Sequence, residues 1–347
     1  MIEKFTVSRD DTVYQAWPDV ALTPQGKLVC VFSACDHHWP RGETQIMICH
    51  STDRGHTWSE KRPLTEPGNL PDPIWNCPRI TQLRDGRLAV LVDRNPGNED
   101  DGDESLRNYL FFSDDEGQTW SPPVLAPARG ICPDKLRELD NGRWIISCHH
   151  VEQKIGKVVQ RLWYSDDQGG SWRGPVTVGR HPDLDLCEVS ILQVDGPKLV
   201  AFHRENAMDG RDCYKTISTD YGEHWSDPIR FPIPGCHRPI AEHLQDGRIL
   251  ITYRYLQGAG GTEWLGTRAQ NFMSALTDDA SVLAYDRKMA ATRIMPVDYD
   301  RSSVADLGYS GWVQFEDGEI CIVYYIVDDA PKGQIRGCRL LPSDFIL

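Results

Sequence analysis

Ser51-Thr52-Asp53-Arg54-Gly55-His56-Thr57-Trp58 has three counterparts further along the chain, Ser113 to Trp120, Ser165 to Trp172 and Ser218 to Trp225. Each copy reads S-x-D-x-G-x-x-W, and successive serines stand 62, 52 and 53 residues apart. A turn motif at that period marks an array of equivalent supersecondary units. Apolar runs lead into the boxes as strands: Ile46 to Ile48, Tyr109 to Phe112, Leu162 to Tyr164 and Tyr214 to Ile217. Gly55, Gly117, Gly169 and Gly222 supply the positive φ of a tight turn, and the aspartate can close it onto backbone amides. The tryptophan is then an apolar plug between neighbouring sheets, so the box reads as a structural staple.

A fainter repeat of the form L-x-D-G-x-L, followed by an apolar run, is centred on Gly26, Gly86, Gly142, Gly196, Gly247 and Gly318. Each copy alternates two short strands about a hairpin, as in Ile80 to Val92, Ile191 to Phe202 and Ile240 to Tyr253. Six such units predict an all-β fold, a six-bladed β-propeller of four-stranded antiparallel sheets, with residues 1–347 as one domain. Residues 1–8 and the strand Gln334 to Leu340 are expected to share the closing blade. The interval between Gly260 and Ser303 is expected to carry loops and a box without its Gly and Trp, around Thr277 to Ser281.

The formal charge of −14 argues against nucleic acid or an anionic membrane surface as partner, since both would repel it. No apolar stretch approaches the ~20 residues of a membrane span. The start MIEKFTVSRDD lacks the layout of a signal peptide, so a cytoplasmic location is expected for the chain as given, or a secreted one if a leader has been removed. The eleven cysteines contain no C-x-x-C pair. Cys77, Cys132, Cys187 and Cys236 recur where inner strands begin, as small buried thiols do. His37-His38 and His149-His150 lack further ligands at metal spacing, and no metal or organic cofactor is implied.

In a propeller the inner strands begin around one mouth. Strand starts here read Trp17-Pro18-Asp19, Pro78-Arg79, Pro133-Asp134, Cys187-Glu188, His237-Arg238 and Gly308-Tyr309-Ser310, and second strands end at Asp93-Arg94, His149-His150, His203-Arg204, Arg254-Tyr255 and Tyr325. Ionisable groups in matching phase on separate blades predict a convergent polar site. Its candidate substrate-binding residues are Arg79, Arg204, Arg238, Arg254, Asp19, Asp93, Arg94, Asp134 and His149.

The boxes resemble those of the sialidase (neuraminidase) superfamily. Glu188 to Arg204 is similar to the sialidase stretch in which a glutamate opens one strand and a pocket arginine ends the next. Thr267-Arg268-Ala-Gln-Asn-Phe resembles the segment bearing that family's last arginine, and Gly308-Tyr309-Ser310 the strand that opens with its nucleophilic tyrosine. The resemblance implies an exo-acting, retaining glycoside hydrolase for a terminal acidic sugar such as a sialic acid. Tyr309 would attack, Glu188 would take its proton, and Arg204 and Arg268 would clamp the anionic group bidentately. A neutral nucleophile suits an anomeric carbon that bears a carboxylate, which an Asp or Glu would repel.

Two departures bear on the substrate. The family's first-blade arginine is replaced by Ala16 in Ala16-Trp17-Pro18, leaving Arg79, Arg238 and Arg254 as candidate substitutes. For the general acid, Asp36 sits roughly where the family places its aspartate, with Asp19 and Glu43 as competitors. The alternatives are the same fold acting on another terminal sugar, arabinose or a uronide, and a noncatalytic carbohydrate-binding propeller.

Overall fold

The computed structural model describes residues 2–39, 41–68, 74–95, 106–207, 211–256 and 270–345. These form a six-bladed β-propeller of antiparallel sheets. By internal contacts the blades fall into two compact units, Met1–Leu136 with Asp306–Leu347, and Arg137–Ala305.

In the first unit one blade runs Tyr14–Leu22, Leu28–Cys35, Thr44–Ser51 and Arg62–Pro63. The next comprises Leu88–Asn95, Arg107–Ser113 and Val124–Ala126, and its innermost strand is broken into Ile74–Trp75 and Arg79–Gln82. Pro78, which has no N–H to donate, sits in that break. The closing blade pairs Glu3–Ser8 with Gln334–Leu340, followed by Ile320–Ile326 and Leu307–Gln314. The two ends of the chain therefore share a sheet, as the repeat pattern predicts.

The second unit holds three blades. They are Arg137–Glu138, Trp144–Glu152, Lys157–Ser165 and Arg173–Gly179; then Leu186–Asp195, Lys198–Glu205, Asp212–Ser218 and Ile229–Pro234; then Cys236–His243, Ile249–Leu256, Gln270–Thr277 and Arg293–Tyr299.

The boxes close as their chemistry requires. In the second copy the Ser113 hydroxyl accepts the Gly117 N–H at 2.8 Å and lies 2.8 Å from an oxygen of Asp115, which also accepts the Thr119 N–H. The other three copies repeat the Ser-to-Gly bond at 2.8–2.9 Å. Trp58, Trp120 and Trp225 are half-buried against apolar clusters that include the preceding blade, around Cys321, Val29 and Leu162 respectively. Ser113 is itself buried, so Ser113→Ala is expected to cost about 1–2 kcal/mol, read as a lower urea midpoint at unchanged slope. The degenerate box around Thr277 to Ser281 becomes a short helix, Asp279–Leu283, in which Asp278 caps the Ser281 N–H at 2.8 Å. Without the glycine the aspartate keeps its acceptor role but starts a helix instead of closing a turn.

All eleven cysteines are buried and unbridged, and burial pushes the thiols of Cys35 and Cys321 up to about 12. No helix among the described residues is long and apolar enough to cross a membrane.

Candidate active site

Four inner strands share one backbone irregularity. The ladder of each slips by one residue, between Ala16 and Asp19, Cys187 and Ser190, His237 and Ile240, and Gly308 and Ser310. At each slip a non-glycine residue adopts a left-handed backbone: Trp17 (φ +55°), Glu188 (+44°), Arg238 (+56°) and Tyr309 (+43°). A bulge of this kind re-aims one side chain out of the pleat; the box turns hold left-handed residues too, at Arg54, Glu116, Gln168 and Tyr221, but these four lie within strand ladders. The preceding residues of these four blades pair with Ser33, Arg204, Arg254 and Tyr325 on the second strands. Residue types at the step and opposite it therefore belong to one structural set.

In the first unit Tyr309 is half-buried and its ring packs on Trp17 (centroids 6.5 Å) and Tyr325 (6.1 Å). The Arg79 guanidinium lies 5.6 Å from the Tyr309 ring centroid. Arg79 is fully buried; Nη1 donates to the Pro18 carbonyl at 2.9 Å, while Nε and Nη2 have no hydrogen-bond partner among the described residues. A buried cation beside a phenol stabilises negative charge developing on its oxygen.

The other candidates of this unit divide by what occupies their polar atoms. Asp19 is fully buried, and its two oxygens accept the N–H groups of Val20 (2.9 Å) and Ile80 (3.0 Å), tying two blades together. Asp134 is buried and accepts the Lys135 N–H at 2.9 Å. Asp93 is buried, accepts from Asn76 Nδ2 at 2.8 Å, and is pushed up to about 6 because burial disfavours its charge more than Asn76 and Arg41 favour it. Arg94 stacks on Trp75 at 5.1 Å. Asp36 is exposed, with its carboxylate turned onto the backbone of Gly42 and the Glu43 N–H (3.3 Å).

The second unit concentrates positive charge around one carboxylate. Glu188 and Arg204 are buried and joined at 2.5 Å across the first two strands of their blade. Arg238 and Arg254 are buried in the next blade, where Arg238 reaches the Val189 carbonyl at 3.5 Å. Burial alone would raise the Glu188 carboxyl, but Arg204, Arg238 and Arg254 outweigh it and hold it at about 2. His149 is pushed down to about 4, chiefly by burial. It is therefore a neutral imidazole at pH 7, and its Nδ1 accepts the Glu188 N–H at 3.4 Å. Arg268 lies outside the described residues. Among the described residues no three metal-ligating side chains cluster.

Within each unit the structure thus gathers most of the expected residues: Tyr309 with Arg79, and Glu188 with Arg204, Arg238, Arg254 and His149. Sequence reasoning missed Trp17 as a member of the left-handed set. The signal was available, because Trp17, Arg238 and Tyr309 each stand nine residues before a hairpin glycine and Glu188 eight. It also missed Asp306, which accepts from the hydroxyls of Tyr14 and Tyr325 and lies 2.6 Å from His38 Nδ1.

Comparison with known proteins agrees with this architecture. The BNR repeat-like domain matches residues 26–258. A sialidase of Micromonospora viridifaciens is 23% identical over 241 residues, a match spanning 61% of this chain and 36% of that relative. Among solved structures, a protein of unknown function from Dyadobacter fermentans superposes with TM-score 0.78 at 18% identity, covering 98% of this chain and 99% of the other. The intramolecular trans-sialidase of Ruminococcus gnavus, in complex with oseltamivir carboxylate, superposes with TM-score 0.73 at 13% identity, covering 99% and 98%. With the matched domain extending over most of its length and four Asp-boxes closing its blades, the chain belongs to the BNR repeat-like family.

Proposed function

We propose that the protein is an exo-acting, retaining glycoside hydrolase that releases a terminal acidic sugar, a sialic acid or a relative, from a glycan or glycoside. One observation carries this reading: Tyr309, Glu188 and Arg238 occupy the same left-handed step of three different blades, a bulge that turns the side chain out of the sheet. Tyr309 is the nucleophile, Arg204, Arg238 and Arg254 bind the substrate's anionic group, and Glu188 accepts the phenolic proton.

A carboxylate held at about 2 is a weak proton acceptor, which makes the arginines part of the chemistry. A substrate carboxylate bound by them offsets the positive charge that depresses Glu188, and its proton affinity then rises as the sugar seats. Neutral sugars lack that effect, so the reading predicts selectivity for anionic substrates in kcat as well as KM.

A panel of chromogenic glycosides led by an α-linked sialoside tests the proposal, with the anomeric configuration of the released sugar followed by NMR. Release with retention is expected, and Glu188→Gln should lower it by on the order of a hundredfold to ten-thousandfold. No turnover on any member, with sugar binding intact, would replace the enzyme by a carbohydrate-binding propeller. A second reading keeps the same fold and arginines with a uronide as the acidic sugar. Turnover of uronides in place of sialosides distinguishes the two.

A further inference from the structure

We propose that His38, held by Asp306, is the general acid that protonates the departing glycosidic oxygen, a role that rests on the glycosidase reading above. Three observations around Trp17, which packs on both His38 and Tyr309, carry it. His38 Nδ1 lies 2.6 Å from Asp306 Oδ2, which fixes the ring and supplies the counter-charge of an imidazolium, as a carboxylate does for a catalytic histidine. The imidazole packs edge-on against Trp17, with centroids 5.3 Å apart, and that same indole contacts Tyr309. Its outer nitrogen, Nε2, has no protein partner among the described residues, and the side chain is 45% exposed. A proton donor is therefore presented to solvent beside the ring system that carries the nucleophile.

Asp19 and Asp36, two of the carboxylates that compete for the role, are committed elsewhere. Asp19 is enclosed and accepts two backbone N–H groups. Asp36 folds onto Gly42 and Glu43, and Lys332 fastens its carbonyl at 2.8 Å. Asp306 itself is occupied on both oxygens, by Tyr14 and His38 on one and by Tyr325 on the other. This triple anchoring makes it an orienting group for the imidazole.

The step balances as follows. The Tyr309 oxygen bonds to the anomeric carbon and its proton passes to Glu188, while the glycosidic C–O bond breaks and its electron pair takes the Nε2 proton of His38. Water then attacks the same carbon, gives one proton back to His38, and the tyrosyl bond breaks with Glu188 returning the phenolic proton.

Leaving-group dependence tests the assignment. Two substrates with the same sugar are compared, one carrying a galactosyl leaving group and one a 4-nitrophenyl group, which departs without protonation. His38→Gln and His38→Asn, each checked for an unchanged thermal midpoint, should lose on the order of a hundredfold to ten-thousandfold in kcat/KM on the first and less than about tenfold on the second. Asp36→Asn, the rival assignment, should show no such difference between the two substrates, since its carboxylate is turned onto the Gly42–Glu43 loop. Equal losses on both substrates in the His38 variants, or the leaving-group pattern appearing in Asp36→Asn, overturn the inference while the glycosidase reading stands. A wild-type protein inert towards both substrates, across the panel of sugars, overturns the two together.

Discussion

Tyr309→Phe is expected to reduce kcat on the order of ten-thousandfold or more while the protein stays folded. Loss of a nucleophile removes the covalent route entirely, and catalysis then falls to what binding and electrostatics alone supply. Only an oxygen atom is removed, and the ring keeps its packing on Trp17 and Tyr325, so the stability change should remain within about 1 kcal/mol. The measurement is single-turnover kinetics on an activated aryl glycoside together with a denaturation curve. A variant retaining more than about a tenth of the wild-type rate would remove the phenol from the reaction. Substrate affinity separates a catalytic from a positioning effect. The arginine cluster is untouched, so Kd for the substrate should hold while turnover disappears.

Arg204→Met should be the most destabilising change in the second unit, by about 3 kcal/mol at pH 7, since it leaves the Glu188 carboxylate buried without its nearest partner. Arg238 and Arg254 remain, which keeps the cost at the lower end of what breaking a buried pair brings. The pH dependence follows from the direction of the Glu188 shift, from an ordinary 4.5 to about 2. A carboxyl depressed on folding adds stability that is fully present above about 4.5 and is lost as pH falls to about 2, roughly 3 kcal/mol in all. The gap between wild type and Arg204→Met should therefore be widest near neutrality and shrink through that window. Urea unfolding at pH 7 and pH 3 reads it directly. The companion double variant, Arg204→Met with Glu188→Gln, should recover much of the loss because no charge is left stranded. A gap of equal size at both pH values would mean that Arg204 stabilises by packing, with its charge contributing little.

Local chemistry made the scaffold legible. A box needs its serine, aspartate and glycine at fixed offsets to satisfy one turn, and a hairpin needs its glycine, so both survive as readable letters. The closing blade followed from counting strands. The break at Pro78 and the helix that replaces the fifth box were less evident, since each depends on which acceptor an N–H finds once the turn has lost a residue. Within the site, Glu188, Arg238 and Tyr309 were visible because they stand eight or nine residues before a hairpin glycine, and Arg204 and Arg254 because they stand seven or eight after one. Asp19 and Asp134 stand seven and eight residues before their hairpin glycines, yet Asp19 spends its oxygens on backbone N–H groups of two blades and Asp134 accepts from Lys135. Phase places a residue at a strand start without saying which way its atoms are used. His38 and Asp306 lie 268 residues apart, in segments outside either repeat. As a bare pair with His37, His38 lacked further ligands at metal spacing and pointed to no role, and the carboxylate that gives it a meaning comes from the opposite end of the chain.

The one-residue slip shared by Trp17, Glu188, Arg238 and Tyr309 separates the cost of presenting a side chain from the identity of that side chain. An indole, a carboxylate, a guanidinium and a phenol all occupy the same left-handed backbone, so the ladder on either side does not by itself dictate which group is displayed. Glycine at any of the four would relax the backbone and erase the group it displays. Where the kink is kept, the displayed group can differ from blade to blade, whereas a straightened strand would be more durable but would display nothing there.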